Sequence, residues 1–249
     1  MILKNYANSV PCYSDYLCAM AQKKLFRFGQ LSTFPNVKEY PEDMKGKWSE
    51  FFGNTHPVWL ELACGRGEYT YCLAKLHPNM NFLGVDVKGN RMYIGAKKAL
   101  DEGINNAGFL RTQIEMLGNY FGKGEVNGLW ITFPDPQLRA SKAKKRLTHP
   151  RFLRIYQQIL APGAIINLKT DSPDLYEFTK LVISLYGLNL IADLDDISDS
   201  TNPELMIRTH YESLDIAKSN TVHFLSFSLP PVLPENDEEL KQRLLYAKA

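Results

Sequence analysis

Val58–Leu76 reads VWLELACGRGEYTYCLAKL. Val58 to Ala63 is apolar apart from Glu61 and is too short for a helix, so it reads as a buried strand. Cys64-Gly65-Arg66-Gly67-Glu68 then turns the chain. Tyr69 to Leu76 has helical spacing, and His77-Pro78-Asn79 ends it. Strand, glycine turn and helix form the repeating unit of an α/β sheet. Glycine lets a ligand approach the backbone there and supplies φ > 0 where a turn needs it.

The unit recurs downstream. Asn81–Val87 reads as a second strand, and Asn90–Glu102 as a helix stopped by Gly103. Phe109–Arg111 is a short strand, Ile114–Phe121 a short helix and Val126–Phe133 a fourth strand. Pro150–Leu160 carries an apolar helical stripe that includes Phe152, Leu153, Tyr156 and Ile159. Ala164–Lys169 is a fifth strand, Leu175–Tyr186 a helix, and Leu188–Leu194 and Val222–Leu229 the last two strands. Glu204–Lys218, between those two, is expected to be helical. Such alternation predicts a mainly parallel sheet covered on both faces. The last strand lacks a long crossover and is expected to be antiparallel.

Residues 1–56 show no clean period. They mix aromatic residues such as Tyr6, Phe34, Trp48 and Phe51 with Lys23, Lys24 and Arg27. We expect an arm packed on, or extending from, a core spanning 57–229, with 230–249 as a C-terminal extension. The arm's aromatic and basic content also suits nucleic acid.

The chain has 249 residues and a formal charge of only +2, but its charge is unevenly placed. Gln137 to Arg154 holds Arg139, Lys142, Lys144, Lys145, Arg146, Arg151 and Arg154 and no acidic residue. This run follows Phe133-Pro134-Asp135-Pro136, so a strand delivers one carboxylate, Asp135, to its C-terminal end beside a cationic loop. Ligands of open α/β sheets bind at that end, and a polyanion is the natural partner of such a loop. Cys12, Cys18, Cys64 and Cys72 contain no CxxC pair and the five histidines form no cluster, so no metal site is expected. The N-terminus MILKNYANSV has no signal-peptide core, and no apolar run approaches a membrane span. These features predict a soluble, reduced, cytoplasmic protein without a membrane partner.

Asp86 lies 19 residues beyond Gly67, at the end of the second strand. An acid there takes both hydroxyls of a ribose, which indicates an adenosine-type cofactor over Gly65 and Gly67. A dinucleotide would want a third glycine where Thr70 stands. S-adenosyl-L-methionine has no pyrophosphate and carries cationic groups that suit Glu61, so it is favoured.

ELACGRG at 61–67, GVDVKGNR at 84–91, FPDP at 133–136 with the basic run, LKTD at 168–171 and Arg208-Thr209-His210-Tyr211-Glu212 stand in a telling order. In these motifs, between Trp59 and Leu229, the chain resembles the bacterial tRNA (guanine-N7-)-methyltransferases. The resemblance implies a class I methyltransferase (Rossmann-like) fold with a central, mostly parallel, seven-stranded sheet. It implies cofactor contacts at Glu61, Asp86, Gln113 and Asp135, and substrate contacts at Arg139, Asp171, Thr209 and Glu212. Asp135 stands where the family places its catalytic aspartate, and Lys144 and Lys145 would hold phosphates. Gln137, Leu138 and Arg139 replace the Trp, Pro and Lys usual in the family, which keeps charge and loses an aromatic contact. The expected reaction is methyl transfer to N7 of a tRNA guanine, in the variable loop. The alternatives are another RNA, a protein or a small molecule as acceptor, or a non-catalytic RNA-binding relative. Monomer and homodimer both remain open.

Overall fold

In the computed structural model, which describes residues 13–212 and 221–246, the arm contributes helix α1 (Tyr13–Leu31), strand β1 (Val37–Glu39) and helix α2 (Trp48–Phe52). The glycine unit follows as β2 (Val58–Leu62) and α3 (Glu68–Leu76). Then come β3 (Asn81–Asp86), α4 (Gly89–Asp101), β4 (Ala107–Arg111) and β5 (Val126–Thr132). The second half comprises α5 (Pro150–Gln157), β6 (Leu160–Thr170), α6 (Pro173–Leu185), β7 (Asn189–Leu194), β8 (His223–Ser228) and α7 (Asp237–Tyr246).

All eight strands join one sheet in the order β1-β4-β3-β2-β5-β6-β8-β7. Only β8 runs antiparallel to its neighbours, β6 and β7. The seven strands expected from sequence are present. The eighth, β1, extends the sheet by pairing Val37–Glu39 with Phe109–Arg111. Three residues are too few to show a period, so β1 is fixed by its neighbour and not by its own pattern.

The central strands β2 to β6 bury both faces, which explains their nearly unbroken apolar runs, whereas the edge strand β7 is largely exposed. Along β5, Leu129 and Ile131 enter the core shared with α5 and α6, while Trp130 faces the opposite core beneath α3 and α4. The arm is anchored on this body. Trp48 is buried, donates from Nε1 to the Tyr120 carbonyl at 2.9 Å and stacks on Phe121 at 5.0 Å. Phe34 stacks on Tyr93 of α4. Asp237 of α7 is held by Arg154, at 2.7 and 3.0 Å, and by the Tyr186 hydroxyl at 2.6 Å.

Two expectations meet a different outcome. The helix predicted from Glu204 does not form over 204–212, where one turn at 203–206 gives way to irregular chain; residues 213–218 of that prediction lie outside the described residues, as does Tyr6. The Leu205 and Ile207 carbonyls, which a helix would have bonded internally, instead accept from the ammonium of Lys169. The short helix at Ile114 is a 3-10 turn spanning Ile114–Asn119.

Candidate active site

The strand order reverses direction between β2 and β5, and a crevice opens above their C-terminal ends, as such switch points require. Glu61 pairs with Trp130 and Leu62 with Ile131, so the glycine turn after β2 and the Pro-Asp-Pro turn after β5 emerge side by side. Between them lies a cleft of about 890 Å³, ample for a cofactor and a flat base. Gly65, Asp86, Gln113, Asp135, Lys145 and Asp171 all line it.

Backbone strain collects on its walls. Ala63 (φ 57°), Phe133 (φ 45°) and Gln137 (φ 48°) hold left-handed conformations unusual for residues with a Cβ, and all three line the cleft. Such strain persists only where the surroundings enforce it, and it clusters at functional sites. Asp135 is exposed at the mouth, and its Oδ1 accepts from the Gln137 amide at 3.0 Å. Asp86 reaches across the glycine turn. Its Oδ2 accepts from the Gly65 amide at 2.9 Å and its Oδ1 from the Lys88 amide at 2.8 Å.

Gly67 and Glu61 serve the turn from below. A Cβ on Gly67 would lie 2.4 Å from the Phe109 ring, so this glycine lets α3 settle on the sheet. Glu61 is 2% exposed. Its carboxylate accepts from the Thr70 amide (2.8 Å), the Thr132 hydroxyl (2.8 Å) and the Thr70 hydroxyl, binding β2, β5 and α3 together. Burial pushes the Glu61 carboxyl up to about 7, against the pull of those hydrogen bonds. Neither residue belongs to the cleft wall.

Ser172 caps α6 by accepting from the Leu175 amide at 3.3 Å, which leaves the neighbouring Asp171 on the cleft wall. Thr209 turns inward, and its hydroxyl accepts from the Glu212 amide at 3.2 Å. Glu212 receives the Lys169 ammonium at 3.2 Å.

The basic run divides. Arg139, Lys142, Lys144 and Lys145 are exposed, and none forms an ion pair among the described residues. Arg146 is 5% exposed, packs over Phe178 and donates to the Pro136 and Gln137 carbonyls, so it braces the Pro-Asp-Pro turn. Arg151 faces Glu115 at 3.8 Å.

Sequence reasoning missed three participants. Tyr211 lies over Gly65, where an added Cβ would sit 3.4 Å from its ring, and its hydroxyl bonds Arg91 of α4. Both side chains line the cleft. Their motifs, GNR and THYE, were the available signal. The third is Thr112, 1% exposed on the same wall, whose hydroxyl has no partner among the described residues.

Residues 55–225 match a family model described as a putative methyltransferase. The tRNA (guanine-N(7)-)-methyltransferase of Porphyromonas gingivalis is 46% identical over 80% of this chain and 86% of its own length. This chain belongs to the tRNA (guanine-N(7)-)-methyltransferase family. Another relative of the same name, from Bacteroides thetaiotaomicron, is 43% identical over 89% of this chain and 92% of its own. A crystal structure of the 16S rRNA methyltransferase KamB superposes with a TM-score of 0.57 at 18% identity, covering 74% of this chain and 93% of its own; that likeness concerns the fold. The cleft suits the methyl donor of a tRNA (guanine-N(7)-)-methyltransferase. A carboxylate stands at the end of β3 for a ribose, Gly65 and the Tyr211 ring above it border the same space, and the Thr112 hydroxyl, without a partner among the described residues, stands beside Gln113 on the wall that would face a purine edge.

Proposed function

We propose that this protein transfers the methyl group of S-adenosyl-L-methionine to N7 of a guanine in tRNA, in the variable loop, giving 7-methylguanosine. One observation carries the reading. Asp135 and the Gly65–Asp86 turn share a single cleft, and exposed cations stand at its side.

S-adenosyl-L-methionine supplies an electrophilic methyl group on sulfur. Asp86 would hold its ribose hydroxyls, Gly65 would let it approach the turn, and Thr112 and Gln113 would meet its adenine edge. Guanine N7 has a lone pair and no proton, so the protein needs no base there; it aligns and stabilises. Asp135 accepts from guanine N1–H and the exocyclic amine, which selects guanine over adenine. The same carboxylate faces the positive charge that develops on the ring. Asp171 and Glu212 are further substrate contacts, Thr209 shapes the Glu212 turn, and Arg139, Lys144 and Lys145 hold phosphates without reading bases. The domain that does this spans 57–229, and its proposed setting is the cytoplasm.

Asp135→Asn tests the reading. Single-turnover methylation of unmodified tRNA, followed by nucleoside analysis, should fall by about 100-fold or more, the usual cost of losing one preorganised electrostatic contact. Affinity for the methyl donor should stay near that of the parent. A single-turnover rate close to the parent's would reject Asp135 in this role.

A further inference from the structure

Lys169 is fully buried at the end of β6. Its ammonium donates to the Leu205 carbonyl at 2.8 Å, the Ile207 carbonyl at 2.8 Å and Glu212 Oε2 at 3.2 Å. An ammonium has three protons, and these acceptors account for all of them. The Phe133 and Tyr69 rings flank it at 5.3 and 5.5 Å. Its backbone carbonyl accepts from the Phe133 amide at 2.9 Å. One residue therefore joins the Pro-Asp-Pro turn, through its carbonyl, to the Thr-His-Tyr-Glu segment, through its side chain.

A buried ammonium is costly unless charge and hydrogen bonds satisfy it, so Lys169 and segment 205–212 are stable only together. The far side of the segment has its own tether, where the Tyr211 hydroxyl meets Arg91 and its ring covers Gly65. Two anchors make the segment a bridge from β6 to α4 across the glycine turn.

We infer that Lys169 is a positioning residue: from beneath the cleft it holds segment 205–212 in the form that presents Tyr211 to the methyl-donor site and Glu212 to the acceptor. What the segment presents to rests on the methyltransferase reading above; the tether itself does not. Lys169 touches neither ligand and acts through its three oxygen partners.

The experiment compares the parent, Lys169→Met, Glu212→Gln and the double variant in the full chain. Hydrogen exchange comes first, because it needs no activity. Lys169→Met should speed amide exchange in 205–212 by about tenfold or more while 58–62 and 126–132 keep parental protection. In steady-state assays its KM values for tRNA and methyl donor should rise by about tenfold, with a smaller change in kcat. Adding Glu212→Gln to Lys169→Met should then cost little more, because the two residues act as one unit. Parental exchange in 205–212, loosening of sheet and segment together, or losses that multiply in the double variant would each overturn the inference. A parent that makes no 7-methylguanosine would remove the functional reading and leave the exchange comparison standing.

Discussion

Glu61 and His149 are both buried titratable groups, and their effects on stability oppose each other. Burial raises the Glu61 carboxyl from 4.5 to about 7, so the folded chain keeps this proton after the unfolded chain has lost it. Stability from this group falls as pH rises from 4.5 through 7. His149 caps α5, its Nδ1 accepting from the Arg151 amide at 3.1 Å, and burial lowers its pKa from 6.5 to about 4. The unfolded chain takes up that proton first, so stability is lost as pH falls from 6.5 towards 4. Each shift corresponds to something on the order of 3 kcal/mol. In the parent these two contributions should therefore oppose each other across this window. Glu61→Gln should leave stability rising with pH, and His149→Asn should leave it falling. Urea denaturation at a series of pH values measures both, and variants that keep the parental profile would contradict the assignment. Arg146 shows what a sequence hides at this level. It sits within a basic run, yet its guanidinium is buried against Phe178 and holds backbone carbonyls. Composition cannot separate it from Lys144 and Lys145, because only the fold decides which cation meets water.

Helix α4 comes unusually close to the glycine turn. A Cβ on Gly95 would stand 2.4 Å from the Arg66 carbonyl oxygen and 3.0 Å from Gly67 Cα, both backbone atoms that cannot swing aside. Gly95→Ala should cost about 1–3 kcal/mol and weaken methyl-donor binding. Gly29, within α1, has nothing within 4 Å of an added Cβ. Gly29→Ala should instead stabilise by about 0.5–1 kcal/mol, through helix propensity alone. Thermal unfolding of the pair checks both signs. Seven strands were legible because each carries apolar residues bounded by glycine or proline. The two turns that build the cleft were legible because Gly65 and Asp135 are unusual residues at strand ends. Strand β1 and segment 204–212 were not. The first owes its form to β4, and the second to an ammonium that takes the carbonyls a helix would have used. Pairing across long sequence distances leaves no local pattern to read.

A net charge of +2 describes the molecule poorly, because Arg139, Lys142, Lys144 and Lys145 stand exposed just after the Pro-Asp-Pro turn of the cleft, with no ion pair among the described residues. If that face grips the sugar–phosphate chain, each lost contact should lower the slope of log affinity against log salt by roughly 0.7 to 0.9. Lys144→Ala and Lys145→Ala should each do so in a tRNA binding titration, and leave methyl-donor affinity unchanged. Arg146→Ala should behave differently, lowering the melting temperature by releasing the Pro-Asp-Pro turn. Equal tRNA affinities for parent and lysine variants at every salt concentration would count against the grip. The topology has a consequence for biosynthesis. Strand β8 is inserted between β6 and β7, both of which leave the ribosome before it does. A nascent chain must hold an open slot beside β6 until Ser228 has been added, so the sheet cannot close before that point.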